Sequence, residues 1–193
     1  MQLNLKSIIL TSIYFSKKFT NSSLQFHTNL KINIKCQNYS DDYIASTISS
    51  ALQKCTNLTT LELNLKGQIG RKGLDNLCQA LRECINLTNL TLDVELKEGY
   101  GVMEICSALS ECSNISTLNL HFDLKSCYIG EVEIAFLSYA LEKCPNLAQL
   151  SLSFGDVSND DILQISNLAL ALSKHTNLQA FNLKIGQFHI ICY

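Results

Sequence analysis

Arginine, proline and long apolar runs are scarce in this chain. The few arginines disfavour a nucleic-acid partner, and the lack of long apolar runs disfavours insertion into a membrane. Arg71 and Arg82 are the only arginines, and the formal net charge is −2 at pH 7, so bulk electrostatics favours neither nucleic acid nor an anionic membrane surface. No apolar run reaches the roughly 18 residues of a transmembrane helix. The single proline, Pro145, stands just before a predicted strand, where its missing N–H does little harm.

The chain also lacks the short motifs that carry chemistry. It contains no C-x-x-C pair, no H-E-x-x-H, no G-x-S-x-G and no kinase-type H-R-D or D-F-G. The segment from Gly67 to Gly73 is glycine-rich but lacks the spacing of a phosphate-binding loop, and a repeat turn is the favoured interpretation. We therefore predict no catalytic residue, no metal site and no cofactor, and we expect that the protein is not an enzyme.

A phrase that occurs five times is the strongest positive signal. Its template is Ala-Leu, a Cys or His three residues after the Leu, an Asn two residues further on, and then alternating leucines. The Cys or His recurs at intervals of 28 to 32 residues, at Cys55, Cys84, Cys112, Cys144 and His175. A unit of this size cannot bury its own apolar face, so at least about three must stack. The sequence predicts a solenoid of about five to six repeats, in which a partial unit precedes the five copies.

Within each unit the hydrophobic spacing changes from strand-like to helical. After the Asn, apolar residues alternate, as at Leu90 and Leu92, which is typical of a half-buried strand. Between strands they recur at helical spacing, as at Leu74, Leu77 and Leu81. A strand followed by a helix in every unit predicts an α/β fold, with a curved parallel β-sheet inside and α-helices outside.

These residues resemble the leucine-rich repeat in its longer, ribonuclease-inhibitor-like form. The resemblance rests on the L-x-x-L-x-L strand, the Ala-Leu-x-x-Cys helix end and the Ile-Gly turns at Ile69 and Ile129. The phrase C-T-N-L-T-T-L-E-L is also similar to the repetitive leucine-rich-repeat proteins of ciliates, which are often labelled as kinase-domain proteins. The resemblance covers about residues 24 to 186 and implies a leucine-rich-repeat solenoid that binds proteins.

One asparagine of the usual repeat is absent. The leucine-rich repeat ordinarily has an Asn after its strand that bonds the backbone of neighbouring turns, but Lys66, Glu95 and Asp123 occupy this position here. We therefore expect irregular, partly solvated turns. The Asn that the phrase retains, as at Asn86 and Asn114, lies before the strand, and we expect it to bond backbone at the helix-to-strand corner.

Nine cysteines raise the alternatives of disulfides, a zinc site or structural thiols. Cys78 and Cys106 share a repeat position that Ser or Ala fills in other units, which is typical of a small buried site. An odd count without a pairing pattern indicates a reducing compartment, so we predict structural thiols and a cytoplasmic location. Glycosylation triplets such as the one at Asn86 belong to the repeated phrase, which explains them without glycosylation.

The strand residues between the leucines are the candidates for recognition. In a curved parallel sheet they point to the concave, open face. Its centre is acidic, with carboxylates beside a histidine on strands about 4.8 Å apart. The candidate protein-binding residues are Glu62, Asn64, Lys66, Thr91, Asp93, Glu95, Asn119, His121, Asp123, Ser151, Ser153, Asn182 and Lys184.

Three interpretations of this acidic centre remain open. It is a recognition patch for a basic peptide or protein, or it is a solvated polar face with no partner. Asp93, Glu95, His121 and Asp123 also include ligand types of a divalent metal site, but scattered surface carboxylates are common, so a metal is the least favoured interpretation.

The sequence predicts two segments, an atypical N-terminal cap or poorly defined segment at residues 1–23 and a leucine-rich-repeat domain at residues 24–193. The stretch after Ile185 has no polar capping helix, which predicts self-association through an apolar C-terminal end or continuation into another domain. The favoured function is a non-catalytic protein–protein interaction scaffold, with a protein partner and neither nucleic acid nor membrane. The alternative is a repeat segment of, or partner to, a multidomain signalling protein such as a protein kinase, without kinase chemistry in this chain.

Overall fold

Strands and helices alternate along the chain in a computed structural model, which describes residues 28–35, 42–96, 100–124, 129–154, 165–186 and 188–192. The strands are β1 (Asn29–Lys35), β2 (Thr60–Gln68), β3 (Asn89–Leu96), β4 (Thr117–Leu124), β5 (Gln149–Phe154), β6 (Ala180–Ile185) and β7 (Phe188–Cys192). The helices are α1 (Asp42–Leu52), α2 (Arg71–Glu83), α3 (Tyr100–Leu109), α4 (Glu131–Glu142) and α5 (Ile165–Leu172). The predicted N-terminal segment 1–23 lies outside the described residues.

The seven described strands form one sheet in chain order. β1 to β6 are parallel, and up to Leu65 of β2 and its counterparts each residue pairs with its equivalent one repeat later, so that Leu61 lies opposite Leu90 and Leu90 lies opposite Leu118. Parallel neighbours require a crossover connection, and the helix of each unit supplies it. The predicted α/β solenoid with a parallel sheet and helices on one side is confirmed.

One continuous apolar core lies between the helices and the sheet. Burial alternates along β3, where Leu90 and Leu92 are buried while Thr91 and Asp93 are partly exposed. Each fully buried leucine contributes roughly 1.5–3 kcal/mol relative to an exposed one. Because this core continues from unit to unit, stacking stabilises repeats that are too small to fold alone.

Side-chain amides join the corners between each helix and the next strand. Asn86 Nδ2 donates to the carbonyl oxygen of Thr56 at 3.0 Å, and Asn114 Nδ2 donates to that of Ile85 at 2.9 Å. The same contact occurs at 3.5 Å for Asn146 and at 3.4 Å for Asn177. The expected hydrogen bond from the retained Asn side chain to the backbone of the corner is confirmed. Each of these hydrogen bonds links a repeat to the one before it.

A row of hydroxyl groups runs beside these amides. The carbonyl oxygen of Thr59 accepts the backbone N–H groups of Thr88 and Asn89 and also the Thr88 hydroxyl, the last at 3.1 Å. The Thr88 carbonyl accepts from Ser116 and Thr117 in the same way. We call the amide and hydroxyl bonds together the corner ladder. The turns after β3, β4 and β5, which the sequence predicts to be irregular, lie outside the described residues.

The repeated cysteines lie inside the core as free thiols. Cys55 and Cys84 each donate to the carbonyl oxygen four residues earlier, at 3.3 Å. Burial raises the pKa of Cys84 to about 11 and that of Cys112 to about 12. The prediction of buried structural thiols is confirmed for the described cysteines of the repeats, whereas Cys36 and Cys127 lie outside the described residues.

His175 fills the cysteine position of the fifth repeat. Its imidazole is only partly buried, yet Nε2 is shielded from solvent and has no hydrogen-bond partner among the described residues. Desolvation by burial lowers the pKa of His175, against opposing effects from Glu142 and the Leu141 backbone. Leu178 and Phe181 are also only partly buried, so the core becomes thinner at this end.

The sheet ends in a strand that breaks the repeat. Gly186 has a φ of +53°, in the left-handed region that glycine adopts readily, and the chain then reverses into β7. β7 is antiparallel to β6, with Ile190 opposite Leu183 and Ile191 opposite Asn182. Ile190 and Ile191 are 48% and 47% exposed, so apolar side chains remain in contact with solvent at this edge.

Candidate protein-binding face

Columns of non-leucine residues line the side of the sheet opposite the helices, which we call the strand face. Register places the predicted residues in these columns across neighbouring strands. The first column holds Glu62, Thr91, Asn119, Ser151 and Asn182. The second holds Asn64, Asp93, His121, Ser153 and Lys184, and in the third Glu95 lies opposite Asp123.

The third column is broken between β2 and β3. The register shifts after Leu65, so that Gln68, and not Lys66, lies opposite Glu95. Lys66 pairs only with Lys35 of β1. The sequence-based alignment of Lys66 beside Glu95 is therefore wrong, because an irregularity in β2 inserts extra residues on one strand and displaces everything beyond it.

Polar contacts connect neighbouring strands along the first column. The Lys31 ammonium pairs with the Glu62 carboxylate, and Asn119 Nδ2 donates to Thr91 Oγ1 at 3.1 Å. The Lys31 and Glu62 side chains are 51% and 38% exposed, so water screens this ion pair and its contribution to stability is small. These contacts order the polar side chains while leaving them accessible to a partner.

Carboxylates meet at the middle of the strand face. Asp93 and Glu95 of β3 lie opposite His121 and Asp123 of β4, and we call these four residues the acidic centre. His121 Nε2 lies 3.8 Å from Asp93 Oδ1, which is too long for a hydrogen bond but close enough for attraction when the imidazole is protonated. With neutral histidine the centre carries an excess of negative charge.

The strand face can attract cationic groups and exchange hydrogen bonds with a partner backbone. In the described parts of the chain, no three imidazole, thiol or carboxylate side chains converge as a metal ion would require. None of the described helices combines the length and the apolar character needed to cross a bilayer.

Sequence reasoning missed the contribution of β7 to this face. His189 lies opposite Lys184, and its Nε2 is 2.7 Å from Asn182 Oδ1. Ile191 lies opposite Asn182, so an apolar side chain adjoins the polar columns. The signal was present in the sequence, since a Gly and one further residue between two apolar runs are typical of a two-residue hairpin.

The parallel sheet, the units of 28 to 32 residues and the single-sided helices define a leucine-rich-repeat-like solenoid. No protein-family profile and no curated protein matches the sequence. Among solved structures, the chain is similar to one described as leiomodin-1 actin-binding site 2, with a TM-score of 0.59 and 14% sequence identity. The likeness covers 88% of this chain and 92% of that one, and at this identity it supports the fold alone.

Proposed function

We propose that the chain is a non-catalytic protein–protein interaction scaffold that binds its partner on the strand face. The acidic centre is the observation that carries the proposal, because Asp93, Glu95 and Asp123 are held on adjacent strands of one open face. A parallel sheet fixes such side chains about 4.8 Å apart from strand to strand, so a partner meets a preorganised surface. The solved neighbour, which shares only the fold, is described as an actin-binding site, so a solenoid of this kind is compatible with a protein partner.

The charge of the acidic centre favours a basic partner segment. Each pair between exposed charges contributes at most about 1 kcal/mol, so binding needs several such contacts and weakens as salt is added. The hydroxyl and amide groups of the first column, such as Thr91 and Asn119, supply neutral hydrogen bonds beside them. Nucleic acid and anionic lipid are disfavoured as partners because they would meet the same negative charge.

We extend the proposal with assignments that rest on the sequence. The repeats are of the ribonuclease-inhibitor-like form, the protein acts in the cytoplasm without enzymatic activity, and the alternative role is a repeat segment associated with a signalling protein such as a kinase. The exposed Ile190 and Ile191 support self-association through the C-terminal edge. Light scattering of the size-fractionated protein tests this last point, and a strictly monomeric species at high concentration contradicts it.

Charge reversal tests the strand face. The variant with Asp93→Lys and Asp123→Lys should fail to capture the partner that the wild-type protein captures from its native cell. The matched control changes Asp75 and Glu83, two exposed carboxylates of α2, to Lys and alters the net charge equally. Substitutions of Asp93 and Asp123 by Asn remove the charge with little change in size, so a loss of binding in these variants is not explained by misfolding around a larger Lys side chain. Unchanged recovery of the partner by these folded variants would refute the strand face as the site.

A further inference from the structure

The solvent side of α4 and α5 is apolar. Val132, Phe136 and Tyr139 share one stripe of α4, at i, i+4 and i+7 spacing, and are 53%, 38% and 53% exposed. Leu170 of α5 is 64% exposed and occupies the same repeat position as Tyr139. We call these four side chains the helix-face patch.

Two of the equivalent positions one repeat earlier are polar and paired. Tyr139 and Phe136 correspond there to Ser107 and Glu104 of α3, and both of these contact Arg82 of α2, at 3.2 and 3.8 Å. The stacking of α2 on α3 shows that the solenoid does not need apolar side chains at these positions. The helix-face patch therefore has no role in filling the core, which the opposite stripe of α4 fills.

Charged groups around the helix-face patch are mainly acidic. Glu104 and Glu111 share the single cation Arg82, and Glu131 is exposed at the start of α4. The described charged residues of α3 to α5 and of the corners that follow these helices are the carboxylates Glu104, Glu111, Glu131, Glu133 and Glu142 and the cations Lys143 and Lys174, and Arg82 of α2 adds one more cation. This excess of carboxylates favours a cationic occupant. A second copy of the chain would bring two acidic rims together, and an anionic lipid surface would be repelled.

We propose that the helix-face patch docks an amphipathic helix of another protein, with an apolar stripe flanked by Lys or Arg. The stripe from Val132 to Tyr139 is about 10 Å long, and Leu170 widens it onto the neighbouring helix, so it matches the anchors of a helix at i, i+3 or i+4, and i+7. Lys143 Nζ already lies 5.1 Å from the centre of the Tyr139 ring, which shows that this ring can face a cation. The patch and the strand face lie on opposite sides of the sheet, so the protein can bridge two partners.

A pair of synthetic helical peptides tests the proposal. Both carry the same leucine stripe, flanked by Lys in one peptide and by Glu in the other, and binding is measured by fluorescence anisotropy. The Lys-flanked peptide should bind the wild-type chain at least about tenfold more tightly than the Glu-flanked peptide. Leu170→Lys should weaken its binding by about tenfold, while Ile85→Lys should change it by less than about twofold. Ile85 is the matched control, because it is apolar, 63% exposed and located at the corner after α2.

Hydrogen exchange locates the peptide independently of affinity. Bound peptide should slow amide exchange in residues 131–142 and 165–172 but not in β3 and β4, which separates this site from the strand face. Several results would overturn the proposal: no binding of the Lys-flanked peptide, equal binding of the two peptides, equal losses in the Leu170 and Ile85 variants, or protection confined to the strands. A wild-type dimer that Leu170→Lys dissociates in sedimentation would make a second copy the occupant, and would also overturn it. Circular dichroism confirms that each variant is folded.

Discussion

Replacing Asn114 by Ala removes the shortest hydrogen bond that a side-chain amide makes in the described part of the corner ladder. Asn114 Nδ2 lies 2.9 Å from the Ile85 carbonyl oxygen, whereas the equivalent distance from Asn146 to Ser113 is 3.5 Å. A well-formed hydrogen bond contributes roughly 0.5–1.5 kcal/mol net, and water replaces part of a bond made by an exposed carboxamide. We expect Asn114→Ala to lower the free energy of unfolding by about 1 kcal/mol, and Asn146→Ala by about 0.3 kcal/mol, because a contact at the limit of hydrogen-bond distance is weak.

Urea unfolding followed by circular dichroism measures both losses. The two asparagines share residue type, repeat position and exposure, so a difference in midpoint at constant denaturant slope isolates the geometry of the bond. Asn114→Asp is a further control, because it places an acceptor against the carbonyl oxygen and should cost at least as much as Ala. Equal losses for the Ala variants at the two positions would refute the link between bond length and stability.

Two further predictions concern titratable side chains. At about pH 8 a thiol reagent should label Cys192 in the native protein, but Cys84 and Cys112 only after denaturation, because burial blocks access and raises the pKa of both thiols. Peptide mass spectrometry distinguishes the sites, and fast native labelling of Cys112 would contradict the prediction. Desolvation lowers the pKa of His175 in the folded state, so the stability that its neutral form contributes is lost as pH falls from about 6.5 through the folded pKa. His175→Cys should reduce the fall in urea midpoint over that range, and an identical fall in variant and wild type would rule out His175 as its source.

Equal spacing made most of the sheet predictable. Leu90 lies opposite Leu118 because each stands six residues after the repeated cysteine of its own unit. Residues at the same distance from that cysteine, up to ten positions after it, fall in the same column, so the opposition of Asp93 and His121 followed from the numbering alone. The corner role of Asn86 also followed, since a polar side chain at one fixed repeat position must meet the same backbone in every unit.

The repeat spacing did not predict the strand partner of Lys66, and helical spacing did not predict the helix-face patch. The distance from the cysteine to the strand is constant, but the stretch after the strand varies in length between units, and residues beyond Leu65 lose their alignment with β3. Helical periodicity identifies the stripe that must be buried. It does not distinguish Tyr139 or Leu170 on the outer stripe from ordinary surface residues, because their exposure depends on how neighbouring helices lie.

The corner ladder gives the solenoid a direction. Its described side-chain donors belong to the later repeat and their acceptors to the earlier one, as when Asn86 reaches back to Thr56 and Thr88 to Thr59. Each completed repeat therefore presents a row of carbonyl oxygens as a template for the next, which suits a chain that is synthesised from its N-terminus. Shortening from the C-terminal side leaves unused carbonyl acceptors, whereas removal of early repeats leaves unused side-chain amide donors, which are exposed and can bond water instead. We therefore expect the repeats to assemble in chain order, each on the carbonyl oxygens of the repeat before it.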